Sequence, residues 1–235
     1  MTLPTHINHP QLGLVHITYR TNSCRISARW KNGRVHINAP ASISLTELSH
    51  AIDSLAPRLE VRQPSLKYHD SQSIKLDGVE FVITRQSISP DKITARPSLP
   101  VISIGVGTNY DLNAPETTQT ISRLMCRVAN RIAPQLLLPR ARALADALGL
   151  KVSSWSISTG HTTLGRCSAK KEIALSYMLV FMPQHLRDYI VWHELAHLSE
   201  MNHSQRFHQL CNKYCNGLEK QYINELKHYH WPVLK

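Results

Sequence analysis

The sequence His-Glu-Leu-Ala-His occupies residues 193–197, and His203 follows six residues later. On an α-helix, two histidines four residues apart lie on one face about one turn from each other, so both imidazoles can reach one metal ion. Glu194 projects from the adjacent part of that face, where it can take a proton from a metal-held water without being a ligand. The spacing therefore predicts a zinc site with a catalytic glutamate on one helix.

The residues around this motif also favour a helix. Val191, Leu195 and Leu198 repeat at helical spacing as an apolar stripe, and Pro183 suits a first helical position. Coincidence is the alternative, because a pattern with three fixed positions appears by chance in some helices. An unpaired histidine is unfavourable in so apolar a helix, and a third histidine follows closely, so a metal site is the better interpretation.

Two residues compete to be the third ligand. His203 stands ten residues after His193, as in the metzincin pattern, although that pattern has glycine where this chain has Glu200. Glu200 would stay on the metal face if the helix continued. Three ligands along one straight helix would spread too widely for zinc bonds of about 2.0–2.2 Å. We therefore expect the helix to end near residues 200–202, with Asn202 as a left-handed stop, Ser204 as the next N-cap, and His203 as the ligand.

The segment from Asp188 to Phe207 resembles the YgjP-like, SprT-related zinc metallopeptidases, which carry a His-Glu-Leu-x-His-Leu…Asn-His-Ser-x-x-Phe pattern. The resemblance implies a zincin-like fold, a zinc ion (Zn²⁺) as cofactor and a polypeptide substrate. It also implies the roles of the matching residues. The metal ligands are His193, His197 and His203, and the catalytic residue is Glu194.

The chain departs from that family pattern just before the strand that begins at Glu172. The family usually has Arg-Trp-Gly-Ser-Cys there, whereas residues 163–167 read Thr-Leu-Gly-Arg-Cys. His208 also stands where a second aromatic residue, usually tryptophan, follows Phe207. Substrate contacts of the missing tryptophan and serine are therefore not carried over to this chain.

Composition bounds the class of protein. A chain of 235 residues with 42% hydrophobic residues can bury a core, which argues against disorder. It has no apolar run of membrane-spanning length, and its N-terminus has neither a basic start nor an apolar core, so we expect neither a membrane partner nor export. Five scattered cysteines argue against a disulfide framework and for a reducing, cytoplasmic location.

The positive charge suggests a second kind of partner. Lys and Arg number 27 against 16 Asp and Glu, a net charge of +11. The densest group lies in the first predicted hairpin and comprises Arg20, Arg25, Arg29, Lys31 and Arg34. Such a surface permits contact with nucleic acid, while a merely solvated cationic face is the alternative. Nucleic acid is therefore a candidate partner of a basic N-terminal region.

The fold class that the pattern predicts is α+β, divided into residues 1–112 and 113–235. The first part is β-rich with one helix: Asn32-Gly33 and Asp77-Gly78 mark hairpin turns, and the helix begins at Ser44 and ends at Pro57. Residues 86–100 read as a long loop.

The second part, residues 113–235, is predicted to be a zincin-like domain. Its first helix is broken or restarted at Pro134 and Pro139. Two strands follow, around residues 151–158 and 172–177, before the motif helix and two closing helices.

The predicted chemistry uses three neutral imidazoles, which leave the ion its charge and one open position for water. Glu194 then acts as general base and later as general acid. We expect an extended substrate to pair with residues 172–177 as an edge strand. His161, Arg166 and Tyr177 are candidate donors to the oxyanion.

Three functions fit these residues. The first is a zinc peptidase, acting on DNA-associated proteins in one version of the hypothesis. The second is a zinc hydrolase of a non-peptide substrate such as a nucleotide phosphoanhydride, which a basic surface would suit. The third is a binding module with structural zinc. Glu194 argues against the third, because a structural site gains nothing from a base beside an open position.

Overall fold

The computed structural model describes residues 3–31, 34–60 and 66–234. The chain forms two compact units, one ending at Lys67 and the other spanning Tyr68–Val233. The boundary between compact units therefore falls near residue 67, whereas the sequence pattern placed a boundary at residue 112.

The first unit is a four-stranded sheet with one helix. Its strands lie in the order β1-β2-β4-β3. The elements are β1 (His6–His9), β2 (Gly13–Arg20), β3 (Ser27–Lys31), β4 (Arg34–Pro40) and α1 (Leu45–Glu60). β3 and β4 are antiparallel, with Lys31 opposite Arg34. The turn predicted at Asn32-Gly33 lies outside the described residues.

One face of this sheet is buried against α1. Alternate strand residues such as Val15 and Ile37 form one apolar cluster with Leu48 of the helix. The predicted capping box is present, since the Glu47 amide donates to Ser44 Oγ and the Ser44 amide to Glu47 Oε2.

The predicted end of α1 at Pro57 is wrong, because the helix continues to Glu60 with Pro57 inside it. A proline removes the N–H that would bond the carbonyl four residues earlier, here that of Asp53. Pro57 and Asp53 are both exposed, so water can hydrogen-bond that carbonyl and the helix tolerates the loss.

The second unit begins with another four-stranded sheet, in the order β5-β6-β8-β7. Its strands are β5 (Gln72–Leu76), β6 (Val79–Gln86), β7 (Ile93–Ser98) and β8 (Val101–Gly107). The predicted hairpin at Asp77-Gly78 is confirmed, and Gly78 adopts φ 84° in the turn. The loop predicted over residues 86–100 contains β7, whose residues are only partly buried or exposed and so give no alternating apolar signal.

Contacts with the helices explain why this sheet belongs to the second unit. The guanidinium of Arg187 donates to the carbonyl of Asp77 at 2.8 Å. The rings of Phe81 and Phe181 lie 5.6 Å apart and are both fully buried. The sheet and the helices therefore share one core.

A single helix, α2 (Pro115–Ala147), follows the sheet. The predicted break at Pro134 and Pro139 is wrong, since both prolines lie inside its 33 residues. Both are exposed, and the carbonyls deprived of an N–H partner belong to the exposed Asn130 and Gln135. Burial of the opposite face, including Ile121 and other apolar residues, holds the helix together.

The rest of the chain carries the motif. A three-stranded sheet in the order β10-β11-β9 precedes three helices. The strands are β9 (Ser154–Ser158), β10 (Gly165–Cys167) and β11 (Glu172–Ser176), and a short 3₁₀ helix (Tyr177–Phe181) leads to α3 (Gln184–Ala196), α4 (Gln205–Tyr214) and α5 (Glu219–Lys227). The predicted edge strand, β11, lies in the middle of this sheet, parallel to β9 and antiparallel to β10.

The architecture is thus α+β, as the sequence predicts. Among the described residues, no helix combines the length and apolar character needed to cross a lipid bilayer.

Candidate metal centre

The motif lies at the C-terminal end of α3. Pro183 is the N-cap rather than the first helical residue, and the helix ends at Ala196, before the predicted end at residues 200–202. The amides of Leu198 and Ser199 bond carbonyls three residues earlier, which tightens the last turn. The left-handed stop predicted at Asn202 is also wrong, since the non-glycine residues with positive φ in the described chain are Ser71, Lys171 and Asn216.

The early helix end lets the chain turn back on itself and gathers three histidines. His193, His197 and His203 offer ligand atoms that all lie within 4.8 Å of one another. The Nε2 atoms of His193 and His203 are 3.2 Å apart. Tetrahedral zinc, with Zn–N bonds of about 2.0–2.1 Å, separates its ligand nitrogens by about 3.3–3.4 Å. The donor set therefore fits a divalent ion such as zinc.

Glu200, the competing ligand, has a different place in the structure. Its backbone carbonyl lies 3.0 Å from Nδ1 of His197, which donates the hydrogen bond. Because Nδ1 then carries the proton, Nε2 of His197 keeps a lone pair for a metal. Glu200 thus orients one ligand through its main chain, and the cluster of three is completed by His203.

A buried phenylalanine backs all three imidazoles. Phe207 is fully buried, and its ring centroid lies 4.8 Å from that of His193, 4.4 Å from His197 and 4.7 Å from His203. The expected cap of α4 is present, since Ser204 Oγ accepts from the Phe207 amide. The family pattern includes Phe207 but gives it no role. Its position four residues after His203 was the sequence signal that its ring could pack against the three imidazoles.

Burial lowers the pKa of both His193 and His197. Desolvation, followed by the neighbouring His197, His203 and His208, lowers the pKa of His193 to about 4. Burial also lowers the pKa of His197. At neutral pH both rings therefore present lone pairs rather than positive charge.

Glu194 is 4% exposed and is held against β10. Burial raises the pKa of its carboxyl to about 7, while a hydrogen bond from the Cys167 amide opposes that rise. The Ser168 amide donates to the carbonyl of Glu172 in β11. Successive amides along a strand point to opposite sides, so the Cys167 amide points away from β11. The carboxylate of Glu194 therefore lies at the open edge of β10.

Gly165 is a site residue that sequence analysis did not single out. A Cβ at this position would lie 2.4 Å from Glu194 Oε1 and 2.7 Å from its Cγ. The glycine therefore provides the space in which the Glu194 side chain lies. The signal in the sequence was that residues 163–167 keep the glycine of the family pattern, although the residues on either side of that glycine differ from it.

The three candidate oxyanion donors are not equivalent. Arg166 projects from the face of β10 opposite to Glu194, because side chains alternate along a strand. Tyr177 is buried, and its hydroxyl lies 3.1 Å from Nε2 of His161 and also bonds Cys126. His161 and Tyr177 thus form a pair of their own, and the oxyanion role stays a prediction.

A His-Glu-x-x-His pair at the end of a helix, joined by a third histidine, is an arrangement typical of metallohydrolase sites. The sequence profile of the family described as YgjP-like, metallopeptidase domain matches residues 24–229. The chain therefore belongs to the YgjP-like family of metallopeptidase domains. The family is described as a metallopeptidase domain, and such a domain implies a divalent metal ion.

Individual relatives are more distant. UTP pyrophosphatase of Escherichia coli (strain K12) is 32% identical over 105 residues, which cover 45% of this chain and 58% of that protein. The match thus spans less than two thirds of the relative. The crystal structure of the metallopeptidase zymogen of Pyrococcus abyssi abylysin has a TM-score of 0.31 at 24% identity, and the match covers 37% of this chain and 91% of abylysin. The crystal structure of the metallopeptidase zymogen of Methanocaldococcus jannaschii jannalysin has a TM-score of 0.30 at 22% identity, and the match covers 37% of this chain and 92% of jannalysin.

Proposed function

We propose that the protein is a zinc-dependent peptidase in which His193, His197 and His203 hold one Zn²⁺ ion and Glu194 is the catalytic base. The observation that carries the proposal is the position of Glu194. Glu194 directly follows His193 in the sequence, and its carboxylate lies at the open edge of β10. A base at a strand edge is placed to act on a chain that pairs with that edge.

When bound, zinc polarises the carbonyl under attack and makes water easier to ionise. Glu194 supplies the proton transfers. A carboxyl whose pKa is about 7 can accept a proton from the attacking water at neutral pH and return it to the leaving amine. The Cys167 amide holds the ionised carboxylate in place, and burial excludes competing water.

The open edge of β10 supports a polypeptide substrate. Within the described sheet, β10 has a neighbour on one side only, and the main-chain groups of Gly165 and the carbonyl of Cys167 face the other side, where the Cys167 amide already holds Glu194. An extended chain can add to such an edge through main-chain hydrogen bonds, whatever its side chains. The pairing strand is therefore β10, in place of the strand at 172–177 that the sequence suggested.

A second candidate is hydrolysis of a nucleotide phosphoanhydride. It is favoured by the 32% identity with UTP pyrophosphatase, and the same carboxylate could activate water for attack on phosphorus. Water would then convert UTP to UMP and pyrophosphate, with no other reactant.

One experiment separates the two. The zinc-loaded protein is incubated with unfolded casein and, separately, with UTP. The Glu194→Gln variant is assayed with both substrates in parallel. The peptidase proposal expects new amino termini from casein, intact UTP, and neither reaction with the variant. Pyrophosphate release with intact casein would instead support the second candidate. A DNA-binding protein is then used as the substrate with and without DNA. Faster cleavage when DNA is added would extend the proposal to DNA-associated substrates, and an unchanged rate would restrict it to a peptidase that does not depend on DNA.

A further inference from the structure

The sheet of the first unit has a face that α1 does not cover. Across its four strands, one row of residues stands in register: His6, His16, His36 and Arg29. The rings of His6 and His16 meet edge to face at 4.3 Å, and those of His16 and His36 are stacked at 4.9 Å with 9° between their planes. The row therefore presents imidazole rings next to a guanidinium on an open sheet.

Two more arginines flank this row on the same face. Arg34 precedes His36 by two residues, and Arg20 follows His16 by four, so strand alternation points all of them outward. We call the six residues the histidine–arginine face. Its three arginines are exposed.

Nothing acidic belongs to the strands of this sheet. Up to Lys67 the sequence contains three acidic residues, Glu47, Asp53 and Glu60, and all three lie in α1. Two of the arginines have uncharged hydrogen-bond partners: Arg34 Nη1 lies 3.3 Å from His16 Nε2, and Arg20 Nε lies 3.5 Å from Asn38 Oδ1. Among the described residues of the first unit, no acidic side chain therefore belongs to a strand of this sheet.

We infer that the histidine–arginine face binds single-stranded nucleic acid. Arginine provides planar donors for phosphate, and the exposed imidazole of His6 can stack on an unpaired base. His16 and His36 stack on each other and support that ring from the neighbouring strands. Exposed bases are a property of single strands, since a duplex hides their faces and is read by elements that enter a groove. A sheet face with one exposed ring and three exposed arginines matches the stacking residue and cationic groove of single-strand binding. The inference depends on the first unit alone and is independent of the hydrolytic activity.

The test measures fluorescence anisotropy of a labelled oligothymidine against salt concentration, using the full chain. For single strands each neutralised phosphate adds about 0.7 to the logarithmic salt slope. Replacing Arg20, Arg29 and Arg34 together with alanine should lower that slope by about 2. The single variants Arg29→Ala and Arg34→Ala, which disturb the sheet less, should each lower it by about 0.7.

A matched control removes the same charge elsewhere. Arg123, Arg127 and Arg131 are exposed on α2, and their triple alanine variant should leave the slope unchanged. If it lowers the slope as much as the sheet variant, binding reflects net charge and the inference is overturned. Undetectable binding of the unaltered protein at about 0.15 M salt would overturn it as well.

Stacking is tested through His6, the exposed ring of the row. His6→Ala should weaken oligothymidine binding about tenfold and leave the salt slope unchanged, because stacking involves no counterion release. An abasic strand of equal length should bind both proteins equally. Equal competition by duplex DNA or by polyglutamate would refute the single-strand assignment.

Discussion

Gly165→Ala should displace the carboxylate of Glu194 and inactivate the enzyme without removing its metal. The added methyl carbon would lie 2.4 Å from Oε1, 2.7 Å from Cγ and 2.8 Å from Cδ of Glu194. Ordinary contacts between such atoms are about 3.5 Å, so the carboxyl group must move by about 1 Å. Misplacement of a catalytic group by about 1 Å can cost about 100-fold in rate.

The assay compares kcat/KM for casein cleavage and zinc content in the variant and the unaltered protein. We expect a fall of about 100-fold in kcat/KM with zinc still near one equivalent. Gly160→Ala is the matched control, because its Cβ would meet nothing closer than 3.6 Å. It should retain full activity.

A double variant shows whether the loss acts through Glu194. Aspartate is one methylene shorter, so in a Glu194→Asp background the alanine at position 165 has more space and should cost much less than 100-fold. Independent sites would instead give additive losses. Unaltered activity in Gly165→Ala, or losses that simply add, would refute the assignment of Gly165 as a positioning residue.

Three further predictions concern the metal centre. His203→Ala should strip zinc from the purified protein, whereas Glu200→Ala should retain it because Glu200 contacts His197 through its main chain; elemental analysis decides, and the reverse result would exchange the two roles. Glu194→Gln should keep zinc and the fold but lose about 10²–10⁴ in hydrolytic rate, and activity within a few fold of normal would remove it from the mechanism. Phe207→Ala should lower the free energy of unfolding by about 3–5 kcal/mol in denaturant titrations and weaken zinc retention, while Phe207→Leu should do so less; equal stability of all three proteins would show that the ring is not a support.

Breaks predicted from proline were the main local error. Pro57, Pro134 and Pro139 all lie inside helices. The local rule counts a lost hydrogen bond, but the structure places each proline on an exposed face where water can replace the N–H. Burial of the opposite face then stabilises the helix. A single sequence does not reveal which face will be exposed at a proline until the core is known.

The sequence by itself determined the features that depend on short-range geometry. Helical periodicity places His193 and His197 on one face, and the hairpin at Asp77-Gly78 follows from a turn that requires positive φ. The spacing of His203 after His197 and the short bonds of zinc favoured His203 over Glu200 as the third ligand, and the family resemblance implied the same residue. Each of these features lies within a few residues along the chain, so local spacing is enough.

Only the tertiary structure decided which distant segments become neighbours. Strand order made β10, and not the strand at 172–177, the open edge, and it brought Gly165 against Glu194. It also aligned three histidines from separate strands in one row of the first sheet. Pairing between strands is set by long-range burial and main-chain hydrogen bonding, which leave no fixed spacing in the sequence.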